Sequence, residues 1–265
     1  DRAMQALHLL ALEPVVESKS DPNSYGFRAN RSTADAMGQL FVSLSQKASA
    51  HWVLEADIKG CFDNINHDWL VTHVPMDKAI LRKWLKAGVI YKGQLQESDA
   101  GTPQGGVISP LLSNIYLHAF DRAWAEQGLG ELVRYADDFV VLCRSADQAE
   151  QAQQRARALL GELGLVLHPD KTRVVDLRAG KEGFDFLGCH LRARMSGRLW
   201  EQQRIVRYYL HRWPSARSMK RARARIKDRT DRRRVGMQLS DVIDALNLFL
   251  RGWGNYFRTG NAAHK

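Results

Sequence analysis

Leu132-Val133-Arg134-Tyr135-Ala136-Asp137-Asp138-Phe139-Val140-Val141-Leu142 decides the fold. Two runs of apolar and aromatic residues flank a tight Ala136-Asp137-Asp138 turn, the pattern of a hairpin with buried strands. Adjacent carboxylates are costly in such surroundings, because like charges repel at short range and burial penalises each of them. A divalent cation removes both penalties, since hard Mg²⁺ prefers carboxylate and phosphate oxygens. Plain hairpin chemistry is the alternative, because aspartate is common in turns for its own hydrogen-bonding reasons. A third acid, Asp57, ends a separate apolar strand over residues 52–58, where a strand-end cap and a metal ligand are equally good readings. Three carboxylates on neighbouring strand ends could hold two metals about 3.5–4 Å apart.

Working outward from the turn, residues 147–163 form a strongly amphipathic helix that Gly164 stops. Short strands follow at 165–167, 172–177 and 184–191. Upstream, Ser109-Pro110 opens a helix to about residue 127, with serine as cap and proline in the first helical position. Residues 1–20, 32–47, 67–74 and 78–87 also read as helical, and 91–95 as a hairpin turn. From about Arg204 the pattern is helical, basic at first and then apolar and aromatic through Trp253 and Tyr256. Helices and antiparallel strands alternate without a βαβ repeat, which predicts an α+β sheet domain with a helical appendage.

The charge is unevenly spread. Between residues 191 and 234 there are 16 Lys or Arg residues against three acids, a net +13 in a chain whose total is +10. A single-sign block this dense repels itself unless a polyanion neutralises it, so nucleic acid is the expected partner rather than a solvated charged face. Trp200, Tyr208, Tyr209 and Trp213 are interleaved with its arginines. Stacking on bases and core packing are both open for them, and helical spacing favours core. Cys61, Cys143 and Cys189 lie far apart and match no zinc spacing. No apolar run approaches the roughly 18 residues of a membrane span, and no secretory pattern opens the chain.

The blocks around these residues resemble, in order, those of bacterial group II intron reverse transcriptases and maturases. Tyr135-Ala136-Asp137-Asp138 is similar to the signature turn. Residues 23–28 with Arg31-Ser32 resemble a finger block, residues 57–65 the block of the first catalytic aspartate, and residues 101–106 with 109–112 the block beside the incoming nucleotide. Residues 165–172, residues 186–188 and residues 250–257 resemble the last two palm blocks and the thumb, or maturase, helix. The resemblance implies a right-hand polymerase, with fingers and an antiparallel palm sheet over 1–195 and a basic helical thumb or maturase-like region over 196–265. It implies an RNA-directed DNA polymerase in the bacterial cytoplasm, taking an RNA template, a DNA primer and dNTPs, and binding structured intron RNA.

On that resemblance Asp57, Asp137 and Asp138 would be the catalytic, metal-binding triad for two Mg²⁺ ions, with Mn²⁺ as a substitute and the Ile58 carbonyl as an extra ligand. Phe62 would be the steric gate against a ribose 2′-hydroxyl, or ordinary core. Gln104 would contact nucleotide or template, or merely sit in a glycine-rich turn. Lys171 would offset charge at the site, or be solvated. Arg28 and Arg31 would reach phosphates, or form helix-flanking salt bridges. The family places a basic finger hairpin upstream of the first helix, and nothing here supplies it, so a fragment of a longer protein is expected first and a naturally truncated gene after it. No nuclease region follows, so insertion into DNA would need other domains or host factors. An RNA-binding maturase without polymerase activity is the second reading; a domesticated enzyme serving CRISPR adaptation or phage defence is the third.

Overall fold

In a computed structural model, residues 2–46, 49–91, 94–96, 99–102 and 105–260 are described. In chain order the elements are α1 (Arg2–Glu17), α2 (Thr33–Ser45), β1 (Trp52–Asp57), α3 (His67–His73), α4 (Lys78–Leu85), β2 (Val89–Tyr91), β3 (Gln94–Gln96) and α5 (Ser109–Ala125). Then come β4 (Glu131–Tyr135), β5 (Asp138–Cys143), α6 (Ala146–Glu162), β6 (Arg173–Asp176), β7 (Gly183–Phe186) and β8 (Cys189–Met195). α7 (Gly197–Gln203), β9 (Tyr208–Pro214), α8 (Ala216–Arg229) and α9 (Leu239–Phe257) complete the chain. Two compact units result: Asp1–Ser43 with Ala48–Val174, and Leu44–Lys47 with Val175–Lys265.

The first unit is built on a sheet of order β4-β5-β1-β6. β5 is central and pairs antiparallel with both β4 and β1. Its five residues from Phe139 to Cys143 are all buried, which explains the unbroken apolar run in the sequence. α6 packs on β1 and β5, and α5 on β4. Ala149, Ala152, Ala156, Leu159 and Leu160 repeat at helical spacing on the buried side of α6, small residues letting it lie close to the strands. Ser145 starts α6 by accepting from the Gln148 amide. This is the expected α+β arrangement with an antiparallel palm sheet.

The second unit holds a three-stranded antiparallel sheet, β7-β8-β9, with α8 and α9 packed on each other. Three details differ from the sequence reading. Residues 184–191 form not one strand but β7 and β8, folded back at Leu187-Gly188, both with positive φ (47° and 74°). Residues 208–214 are strand β9 rather than helix, because aromatic residues suit a pleated surface and Pro214 disfavours helix before it. Leu165 and Val166 lie outside any strand, and Leu167 makes a single bridge to Ile58. The expected core role also fails for Trp200, Tyr208 and Tyr209, which remain 40%, 39% and 44% exposed. Among the described residues, no helix is long and apolar enough to cross a membrane.

Candidate active site

The β4–β5 turn sets Asp137 and Asp138 at the end of the central strand. Register makes Asp57, the last residue of β1, the direct cross-strand partner of Asp138. The Ile58 amide donates to the Asp137 carbonyl at 3.1 Å, and the His168 amide to the Asp57 carbonyl at 2.8 Å. The backbones of the three acids therefore lie side by side, because β1 ends where β5 begins. Burial pushes the Asp138 carboxyl up to about 7, with the charges of Asp57 and Asp137 adding to it. Asp137 is raised as well, by burial first and then by Asp57. Lys171 relieves part of this crowding, its ammonium lying 2.9 Å from Asp57 Oδ2.

The turn itself is held from behind by residues that sequence reasoning passed over. Ala136 has φ 56°, a left-handed conformation that an alanine adopts only when its surroundings impose it. Arg134 donates to the Ala136 carbonyl at 2.9 Å and grips Asp121 of α5 through two bonds of 2.7 and 2.5 Å. Both side chains of that pair are only 2% exposed. Burial, the largest single influence, would lower the Arg134 pKa, but the charge and hydrogen bonding of Asp121, with smaller help from Cys61 and Asp21, together raise it. On the other side, a Cβ on Gly26 would come within 2.3 Å of the Ala136 amide nitrogen, so only glycine allows this approach. Asn114 of α5 fixes the Gly26 carbonyl at 2.8 Å, and Tyr25 donates its amide to the Arg134 carbonyl at 2.9 Å. The signal was present in sequence as an arginine inside an apolar strand, but its partner could not be read.

The remaining candidates fall as follows. Phe62 lies in a single helical turn after β1 and is half-buried, its ring edge-on to exposed Phe27 at 5.9 Å. The Phe62 carbonyl accepts from the Thr102 amide at 2.7 Å, joining this turn to the glycine-rich stretch. Gln104 lies outside the described residues. Arg28 donates to both Glu17 oxygens and to the Asp21 and Ser24 carbonyls, and its side chain is 6% exposed. Of the two readings open for Arg28, the salt bridge is the one the geometry displays. The Arg31 guanidinium donates to the Pro22 carbonyl at 3.3 Å and lies over the Tyr25 ring. Ile58 is buried at the strand end. Among the described residues, no three His, Cys, Asp or Glu side chains are grouped closely enough to hold a metal as they stand. The three thiols are buried and pushed up, Cys61 and Cys143 to about 12 and Cys189 to about 11, each chiefly by burial, so they are inert here.

Residues 1–191 match the family profile described as reverse transcriptase (RNA-dependent DNA polymerase). The chain belongs to the reverse transcriptase family. Residues 219–265 match the group II intron maturase-specific domain. It is 33% identical over 233 residues to protein YkfC of Escherichia coli K12, covering 72% of the present chain and 60% of YkfC. It is 38% identical over 128 residues to the group II intron-encoded protein LtrA of Lactococcus lactis subsp. cremoris, covering 46% of this chain and 21% of LtrA. The chain thus spans less than two thirds of either relative, 60% of YkfC and 21% of LtrA. Among solved structures it resembles telomerase from Candida albicans, with TM-score 0.55 and 15% identity over 97% of this chain and 46% of that one. That likeness concerns the fold.

Proposed function

We propose that this reverse transcriptase chain is the RNA-directed DNA polymerase core of a group II intron-type protein of the bacterial cytoplasm. It would extend a DNA primer on an RNA template by adding dNTPs and releasing pyrophosphate, and would also bind structured intron RNA. The observation that carries this reading is the meeting of Asp57 with Asp138, and of Asp137 beside it, at the end of two buried strands. Three acids in a setting that penalises their charge suit a site for divalent cations and serve no purpose in plain RNA binding.

The donor set fits two Mg²⁺ ions, or Mn²⁺ in their place: carboxylates of Asp57, Asp137 and Asp138, with the Ile58 carbonyl as a further oxygen. Such ions would supply activation of the primer 3′-hydroxyl and charge neutralisation on the triphosphate. The chain's own residues do the rest. Lys171, now paired with Asp57, is placed to turn its ammonium toward added negative charge near the carboxylates. Phe62, half-buried and braced by Phe27, would close the space beside the sugar and favour deoxynucleotides. Gln104 would contact the nucleotide or template. Arg31, whose guanidinium holds the Pro22 carbonyl only at 3.3 Å, would reach phosphate, while Arg28 secures the loop that carries it. In this reading residues 1–195 are fingers and palm and residues 196–265 the thumb or maturase-like region.

The deciding experiment is extension of a DNA primer on an RNA template with Mg²⁺ and dNTPs. Asp137→Ala/Asp138→Ala is expected to lower extension by at least about 10³-fold, the scale on which transition-state charge stabilisation acts. Equal background in both proteins, with salt-sensitive RNA binding intact, would sink the polymerase reading. It would leave the second one, an RNA-binding maturase, which the maturase-domain match and the +13 block favour.

A further inference from the structure

The β7-β8-β9 sheet has one buried and one open face. Phe184, Phe186, Cys189, Leu191 and Leu210 pack inward. Cross-strand partners share a face, and register sets His190 opposite Trp213, Arg192 opposite His211 and Arg194 opposite Tyr209 on the other side. Three successive pairs thus present a ring or a guanidinium at every position, along a ribbon of about 13 Å. The groups are arranged rather than scattered. The Arg194 guanidinium lies 5.7 Å from the Trp213 ring centre, the His190 ring 5.1 Å from it, and Arg207 5.5 Å from Tyr209. Arg192 is oriented by the Gly180 carbonyl at 2.9 Å and the Lys181 carbonyl at 3.3 Å, yet stays exposed. Arg192, Arg194 and Trp213 also line an open cleft of about 470 Å³. The acid on this face, Asp185, is bonded to His190 at 2.6 Å. Burial and the Arg194 charge both lower the His211 pKa.

We propose that the open face of β8 and β9, centred on Arg192, Arg194, Tyr209, His211 and Trp213, is a platform on which unpaired RNA bases stack. The arginines neutralise the phosphates beside them. The chemistry selects this occupant. A duplex keeps its bases inside and offers nothing to the rings, whereas a single strand offers π-faces and phosphates together. An acidic peptide would satisfy the arginines and leave Tyr209 and His211 without purpose. The choice of RNA rests on the proposed function, which makes RNA the template; the platform itself rests on the sheet face.

The test uses the full 265-residue chain. Anisotropy measures binding of a labelled oligouridylate of about 12 nucleotides, long enough for a single-strand site, alongside an RNA duplex and an oligothymidylate of similar length. Tyr209→Ala is expected to weaken oligouridylate binding about 10-fold, in the range measured for loss of one stacked base, and to leave the duplex unchanged. Tyr209→Phe retains the ring and the affinity. Arg192→Gln/Arg194→Gln lowers affinity for both RNAs and flattens the salt dependence. Unchanged oligouridylate binding by Tyr209→Ala, or an equal loss for the duplex, overturns the platform. The same Tyr209 dependence with oligothymidylate overturns the assignment to RNA. Should Tyr209→Ala fail to fold, Tyr209→Leu keeps strand propensity without a ring and carries the same expectations. Absence of any RNA binding by the unaltered chain at low salt would instead count against the proposed function.

Discussion

α6 and α9 are helices of similar length, 17 and 19 residues, in different units, and they are built for opposite purposes. α6 buries five residues in a stripe against the sheet that carries the aspartates. α9 buries only Phe257, while Leu239 and Leu248 are 74% and 76% exposed. α8 likewise buries only Ala222, and its other faces carry Arg217, Lys220, Arg221, Arg223, Arg225, Lys227 and Arg229. The first unit fixes a few oxygen atoms closely, at the cost of crowding charges that would rather be apart. In the second, α8 displays many charges whose exact positions matter little, because phosphate attraction acts over about 8–10 Å in physiological salt. If so, single substitutions should be severe around the turn and mild on α8.

The largest expected effect on stability lies behind the turn. Asp121→Ala leaves the Arg134 guanidinium buried without its counter-charge, and removing one partner of such a pair costs about 3–5 kcal/mol. Urea unfolding measures it. Arg134→Met/Asp121→Leu removes both charges and should recover most of that loss. The Ala136 carbonyl would still lack its donor, so extension should stay about 10–100-fold down, the scale of a displaced catalytic group. Full recovery of activity along with stability would mean that the pair supports the fold and does nothing for the turn.

How much of this was legible follows from what periodicity can and cannot say. β5 and α6 could be read because each pattern is unbroken and has a marked end, at Asp137-Asp138 and Gly164, and β4 because Leu132-Val133 lead into the same turn. Resemblance supplied the order of the blocks and the three aspartates. The Arg134–Asp121 clamp could not be read, since a pattern says which face a residue is on and not which side chain from another element meets it there. β9 was misread because its basic residues look helical beside α8, although Tyr208, Tyr209 and Trp213-Pro214 carried the strand signal. The same misreading hid the open aromatic face, which exists only once β8 and β9 are in register.

A middle-sized effect concerns pH. In the unfolded chain Asp138 loses its proton near 3.8, but in the fold it keeps it to about 7. The folded form therefore binds more protons between these values, and stability falls as pH rises through them. Its contribution is full below about pH 4 and lost above pH 7. Asp138→Asn carries no such charge, so relative to the unaltered protein it should gain about 2 kcal/mol between pH 4 and pH 8, allowing for partial exposure. Thermal melts in EDTA across that range measure the difference. Added Mg²⁺ should narrow it at pH 8 by stabilising only the protein that keeps all three acids. A pH-independent difference would show that Asp138 is not crowded in solution.

The smallest effect is the one that tests the second unit. Arg221 and Arg223 are exposed on α8. Arg221→Gln/Arg223→Gln should leave thermal stability within about 0.5 kcal/mol, as expected of surface positions that anchor nothing. RNA binding should change in a particular way. If both side chains sit near phosphates, each released counterion contributes about 0.7–0.9 to the slope of log affinity against log salt, so the slope should flatten by about 1.5. The loss should be largest at low salt and nearly vanish at high salt, and it should not depend on base sequence. Primer extension at saturating template should be unaffected, because no oxygen at the turn has moved. A loss of stability above about 1 kcal/mol would make these arginines part of the fold. A loss of affinity that persists at high salt would make them direct readers of one RNA site, and the contrast between a unit that positions and a unit that attracts would then no longer hold.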